Sequence, residues 1–252
     1  MANAKMLKFK KKVKFIWDHI WELIKTAIPA AIMYMCAGAI TLWLGMNIDS
    51  EKMTFTWKSA ALVWMIICIV VAAAYNGIMA WAQGGSHYEM LASGNVKRAT
   101  ADIYGEGYKI SAHREAKEYR VWKGFVAGSI VAAIGIAFAI AFGVNQAAIA
   151  ERLAEKSMGL LEMLGIMLSG WNLLPFYYAN SFGNNISYFV GIAMALLPVA
   201  ITGAFYIIGA YARRNKAIRQ QELADKQAQM EANKPKKINY GGLPGTKPKK
   251  RK

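Results

Sequence analysis

Four long stretches of this 252-residue chain contain no Asp, Glu, Lys, Arg or His. Each is longer than the roughly 20 apolar residues that a helix needs to cross a hydrocarbon core of about 30 Å. The sequence therefore predicts an all-α, polytopic membrane protein, with a transmembrane helical domain over residues 26–211. The four predicted spans are Thr26–Asn47, Ser59–Gln83, Gly124–Asn145 and Ile186–Tyr211.

A fifth segment, residues 158–178, is less apolar because it contains Glu162, Asn172 and Pro175. Lys and Arg close to span ends stay in the cytoplasm, so the basic residues indicate whether this segment crosses. With four spans, 27 of the 31 basic residues lie on one side, whereas a fifth span would leave 14 and 17 on the two sides. We therefore expect four spans, with segment 158–178 in the outer interface or re-entering the membrane partway. Both termini should lie in the cytoplasm of a multi-pass cell-membrane protein.

Residues 1–25 are predicted to form a basic amphipathic helix. Apolar residues recur at intervals of three and four from Leu7 to Ile24. A helix of this kind is suited to the anionic cytoplasmic leaflet. The alternative is a helix that packs on the protein's own cytoplasmic loop. The residues expected to bind anionic lipid or a partner here are Lys8, Lys11, Lys12, Lys14, Trp17 and Trp21.

The remaining cytoplasmic segments are a loop and a tail. The loop, residues 84–123, is predicted to form a helical hairpin, because Ser86 and Glu89 have the spacing of a capping box after two glycines. Residues 212–232 predict a solvated cytoplasmic helix, and residues 233–252 predict a disordered basic tail. The last four residues of that tail are further candidates for binding anionic lipid or a partner, namely Lys249, Lys250, Arg251 and Lys252.

Inside the spans, polar and small residues are the candidates for a pore or for helix packing. Ion-coupled carriers usually place ionisable groups at membrane depth, and these four stretches have none. Asn76, beside Tyr75, either lines a path or hydrogen-bonds a neighbouring helix, and Pro198 should kink the fourth span. Gly128 and Gly135 each begin a small-xxx-small pair that lets another helix approach, from this chain or from another subunit.

No motif for catalysis, a cofactor or a metal is found in the sequence. The pair Cys36 and Cys68 lies in apolar runs, and no HExxH or CxxC signature is present. His87 and His113 lie in the cytoplasmic loop, where a metal-dependent enzyme is the least favoured hypothesis. Sequence-specific nucleic-acid binding is not expected, since Tyr240 is the one aromatic residue of the basic tail available for base stacking.

Two functional hypotheses remain from different classes. The leading one is a non-enzymatic membrane subunit or scaffold that binds anionic lipid and other membrane subunits, or forms a homo-oligomer. The alternative is a small channel or passive transporter component, in which Tyr75, Asn76 and the kink at Pro198 line a path.

Overall fold

The computed structural model describes residues 2–49, 51, 54–93 and 118–233. The chain divides into two units, Met1–Arg213 and Arg214–Lys252, and each is described by itself. The elements in chain order are α1 (Ala2–Gly45), β1 (Met46–Asp49), β2 (Thr54–Trp57), α2 (Ala61–Ser93), α3 (Trp122–Val144), α4 (Gln146–Ala154), α5 (Leu160–Asn180), α6 (Val190–Ala195) and α7 (Leu197–Ala232).

Within the described residues, four helical segments are long and apolar enough to cross a membrane: Ile16–Gly45, Ala61–Ala92, Trp122–Val144 and Val190–Ala232. Many of their large apolar side chains, such as Ile32, Val63 and Ile78, are exposed on the outside of the bundle. Helices that are apolar on their outer faces are suited to lipid rather than to water. The expected all-α membrane protein with four such helices is therefore confirmed at this level.

The helix α1 is longer than expected and has no boundary at residue 25. It continues from Ala2 to Gly45 through both the amphipathic segment and the first apolar stretch. Pro29 lies inside it without ending it. A helix of 44 residues is about 66 Å long, roughly twice the thickness of a hydrocarbon core. The separate N-terminal helix expected over residues 1–25 is thus the first part of one continuous helix.

A short β-hairpin follows α1, and the sequence pattern had not indicated it. The strands β1 and β2 are antiparallel, with Met46 opposite Trp57 and Asp49 opposite Thr54. Phe55 is buried against Tyr177, whereas its neighbour Thr56 is exposed. This alternation is the usual pattern of a half-buried strand, but four residues are too few to stand out beside long apolar helices.

The helix α2 also runs further than expected, because it passes through Gly84-Gly85 to Ser93. No new helix begins at Ser86, so that part of the predicted hairpin is wrong; residues 94–117 lie outside the described residues. The glycines are positions of close helix contact instead of turns. A Cβ atom on Gly84 would lie 1.9 Å from the carbonyl oxygen of Tyr206 in α7, and one on Gly209 would lie 2.0 Å from that of Trp81.

The fifth segment forms α5, which folds back on itself. Its start follows Ser157, which pairs with Thr54, and its end precedes Ser181, whose Oγ accepts a hydrogen bond from Trp57 Nε1 at 2.7 Å. Both ends therefore meet the same short strand, although a straight helix of 21 residues would hold them about 30 Å apart. The reversal occurs at Ser169, whose φ of −139° and ψ of 24° are not helical.

The bend of α5 lies against α1 near its C-terminal end and against the middle of α3. A Cβ atom on Gly170 would lie 2.9 Å from the Cα of Gly38 in α1. The Asn172 side chain donates hydrogen bonds to the carbonyl oxygens of Gly135 in α3 and Gly191 in α6, each at 3.2 Å. The fully buried amide therefore joins the bend to α3 and α6.

The last apolar stretch contains two helices. The interruption lies at Leu196, two residues before Pro198, because proline has no N–H to donate and restricts the residue before it.

In the second unit, α7 continues to Ala232, and every residue from Arg214 to Asn233 is exposed. The expected helix over residues 212–232 thus matches α7, whereas the expected tail over residues 233–252 lies outside the described residues beyond Asn233.

Candidate functional site

One face of α1 carries a regular stripe of residues spaced by three and four. Its second half packs against α2, α3 and α5, and no member of that half is more than 8% exposed. The buried members are Leu23, Ala27, Ala30, Tyr34, Ala37 and Thr41. Tyr34 lies with its ring centroid 4.7 Å from that of Trp171, which places the middle of the stripe in the core of the bundle.

The same spacing continues toward the N-terminus, but there the side chains are exposed. We call these five positions the N-terminal stripe: Met6, Phe9, Val13, Ile16 and Ile20. They are 42–69% exposed, so no described part of the chain covers them. An exposed apolar row of this length usually marks a contact with another molecule.

Positive charge surrounds the N-terminal stripe. Residues 2–17 contain six lysines and no acidic residue. Lys10 and Lys14 are exposed, whereas the side chains of Lys8, Lys11 and Lys12 lie outside the described residues. Trp17 and Trp21 are exposed, and Lys25 Nζ lies 5.5 Å from the centre of the Trp21 ring. Lys249, Lys250, Arg251 and Lys252 also fall outside the described residues.

The small residues of the third span face partners within the same chain. A Cβ atom on Gly128 would lie 2.6 Å from the Cα of Val199, and one on Gly135 would lie 3.1 Å from the Asn172 and Trp171 side chains. These close approaches assign both glycines to packing inside the bundle. Their faces are therefore not open to another subunit.

The three residues proposed to line a path do not share one surface. Asn76 is buried, and its amide exchanges hydrogen bonds with the hydroxyl of Thr202 at 3.0 and 3.1 Å. Tyr75 is exposed on the outside of the bundle. Pro198 is buried, and its carbonyl oxygen lies 2.6 Å from the same hydroxyl, as an alternative acceptor for its one proton. The Asn76 amide thus joins α2 to α7, which is the packing alternative for an intramembrane amide.

A buried ionic group lies at the end of the bundle that carries the β-hairpin. Arg152 Nε in α4 is 2.5 Å from Oε1 of Glu162, whose side chain is fully buried. Among the described residues, neither Oε2 of Glu162 nor the hydroxyl of buried Tyr177 has a hydrogen-bond partner. From the sequence, Glu162 only makes segment 158–178 less apolar; the turn between α4 and α5, which ends at Gly159, brings its carboxylate to Arg152.

A cavity of about 340 Å³ is lined by α4, by the end of α5 and by the loop that follows it, including Gln146, Asn180 and Tyr188. Burial raises the pKa of Tyr188, which precedes the last candidate span, to about 12, and the neighbouring Asn180 amide lowers it in part. The amide side chains in the cavity wall already have partners within the chain. Gln146 donates a hydrogen bond to Asn185, and Asn180 donates to the carbonyl oxygen of Ile186 and accepts from its N–H. These bonds stabilise the loop that follows α5.

At the opposite end, His87 contacts α7 instead of solvent. Its Nδ1 lies 2.8 Å from the hydroxyl of Tyr206, which stacks on Tyr119 with ring centroids 5.3 Å apart. Burial raises the pKa of Tyr119, and the nearby Tyr211 raises it further. No group of three or more His, Cys, Asp or Glu side chains able to hold a metal occurs in the described ranges, and His113 lies outside them.

No protein-family model, curated protein or solved structure matches this chain. The class of the protein is therefore defined by its own helices, four of which are long and apolar enough to cross a membrane. The surface that stands out for function is the N-terminal stripe.

Proposed function

We propose that this protein is a non-enzymatic membrane subunit or scaffold that binds partner proteins and anionic lipid on its cytoplasmic side. The observation that carries the proposal is the N-terminal stripe, an exposed apolar row that continues a face buried in the bundle. Among the described residues, the glycines and the Asn76 amide make contacts within the chain, so the proposal places docking on the N-terminal stripe.

The proposed topology has four spans and both termini in the cytoplasm of a multi-pass cell-membrane protein. The support is the charge asymmetry, with 27 of 31 basic residues on the side of the two termini. In this topology the β-hairpin is outside, and α5 re-enters the membrane from that side. Its bend contacts Gly38, seven residues before the end of α1, and hence reaches roughly 10 Å inward.

Anionic lipid is proposed to bind where α1 leaves the membrane. Counting about 20 residues back from Gly45 places the edge of the hydrocarbon core near Thr26. Trp21 and Lys25 then lie at headgroup depth, where amphipathic rings and cations are favoured, and Trp17 lies about one turn further out. A cation at this depth, such as Lys25, would add electrostatic attraction of roughly 1 kcal/mol to an anionic surface.

The experiment is purification of the native chain in mild detergent after cross-linking in the cell, with stoichiometry measured by native mass spectrometry. We expect a stoichiometric protein partner or ordered anionic lipid on the particle. A bare monomer would contradict the proposal. The channel alternative is tested in liposomes, where a scaffold should show no solute or ion flux. A flux that Asn76→Leu or Pro198→Ala abolishes would support the channel instead.

A further inference from the structure

The N-terminal stripe has the geometry of a seam between two helices. Intervals of three and four continue without interruption from Met6 to Thr41, which corresponds to alternating a and d positions of a heptad. From Leu23 onward this seam is filled by helices of the same chain. The N-terminal stripe is therefore a continuation of an existing helix–helix interface that lacks its second helix.

The membrane is poorly placed to cover the stripe. If the hydrocarbon core ends near Thr26, Met6 lies 20 residues further along an unbroken helix, which is about 30 Å. A helix that lies on the leaflet would have to bend between Ile20 and Thr26, and α1 is continuous there. Lipid contact therefore ends near the tryptophans, below most of the stripe.

The charge of the chain also makes its own segments poor occupants. The stripe is flanked at heptad positions e and g by Lys5, Lys10 and Lys12. Residues 84–123 carry 7 basic against 5 acidic side chains, and residues 212–252 carry 13 against 3. If a second copy of the chain docked on this stripe, the six lysines of one N-terminal segment would face the six of the other. Like charges across such a seam are destabilising, so we expect an acidic occupant.

We propose that an acidic amphipathic helix of a partner protein docks on the N-terminal stripe, with apolar residues at its a and d positions and Glu or Asp at its e and g positions. This inference rests on the proposed function and names its partner by chemistry. The stripe spans only two heptads, so the contact should be of moderate strength, with a Kd of roughly 1–100 μM, or about −5.5 to −8 kcal/mol.

The test uses the full chain in nanodiscs of neutral lipid and a fluorescent 21-residue peptide probe. The peptide has Leu at a and d and Glu at e and g, and its matched counterpart has Lys at e and g. Binding is measured by fluorescence anisotropy at 50 and 300 mM salt. We expect the acidic peptide to bind at least tenfold more tightly than the basic one, and more weakly at high salt.

Two variants locate the contact on the stripe. Phe9→Asp combined with Val13→Asp should weaken the acidic peptide at least tenfold, whereas Val13→Leu should bind normally. The matched control is Leu223→Asp, which changes an equally exposed apolar residue in the second unit and should have no effect. Equal binding of both peptides, or an acidic peptide insensitive to the double variant, would overturn the proposal.

Two further arms separate the other occupants. Anionic vesicles that bind the stripe and shield a fluorescent label at position 9 from an aqueous quencher would overturn the proposal in favour of lipid, and a stable dimer in sedimentation would overturn it in favour of a second copy. The proposed function fails separately, when native purification yields no partner at all. If a partner co-purifies and stays bound to the double variant, only this inference fails.

Discussion

The two halves of α1 have the same spacing of apolar residues but different surroundings. From Leu23 to Thr41 the stripe is packed in the bundle, whereas from Met6 to Ile20 it is exposed. The packed half consists mainly of small residues around Tyr34, and the exposed half of large ones. Small residues suit a helix that is surrounded by close neighbours, and large ones suit a seam with a single partner. Periodicity thus identifies a face but does not identify what covers it.

The largest effect is expected from a charge in the packed half. Ala30 is buried against α2 and α5, so Ala30→Asp places a carboxylate in an apolar environment. We expect a loss of about 3 kcal/mol or more in the free energy of unfolding. Unfolding by SDS in mixed micelles measures it, and wild-type stability of this variant would show that the half is not packed as described.

A smaller loss is expected where α5 crosses α1. A Cβ atom on Gly38 would lie 2.7 Å from the carbonyl oxygen of Ile166, whereas one on Gly45 would meet its nearest neighbours at an ordinary 3.5 Å. Gly38→Ala should therefore cost about 1–3 kcal/mol through overpacking, and Gly45→Ala should be tolerated. Equal unfolding curves for the two variants would mean that α5 does not lie against Gly38.

A loss of similar or smaller size is expected at Asn76, which faces the hydroxyl of Tyr34 and bonds Thr202. Asn76→Leu should cost about 1–2 kcal/mol because Thr202 loses its side-chain partner. Ser129→Ala is the control, since this exposed hydroxyl bonds only its own helix. A stable Asn76→Leu protein with altered liposome flux would favour the channel alternative over packing.

The smallest effect is expected in the exposed half. Val13→Asp should change the free energy of unfolding by no more than about 0.5 kcal/mol, because the side chain has no described neighbour to lose. The same SDS titration measures it, with Ala30→Asp in parallel. A loss comparable to that of Ala30→Asp would show that the exposed half is covered by the chain itself.

The long helices could be predicted from the sequence because uncharged runs of this length have few other solutions. What could not be predicted depends on contacts between distant residues. Gly84 and Gly85 have the local signal of a turn, and only the approach of α7 explains why α2 continues through them. Likewise, the reversal at Ser169 depends on Asn172 reaching Gly135 and Gly191. The sequence pattern indicates the lysines and tryptophans of the N-terminal segment, but it does not indicate that their helix continues into the first span.

Spin labels placed singly along α1 test the central claim most directly, in a variant whose two cysteines, Cys36 and Cys68, are replaced. The protein is held without a partner in nanodiscs that contain anionic lipid. We predict that labels at Phe9, Val13 and Ile16 are mobile and open to a water-soluble relaxation agent, and that labels at Ala30 and Ala37 are immobile and closed to it. Labels at the first three positions that respond to oxygen in lipid but not to the aqueous agent would contradict the account.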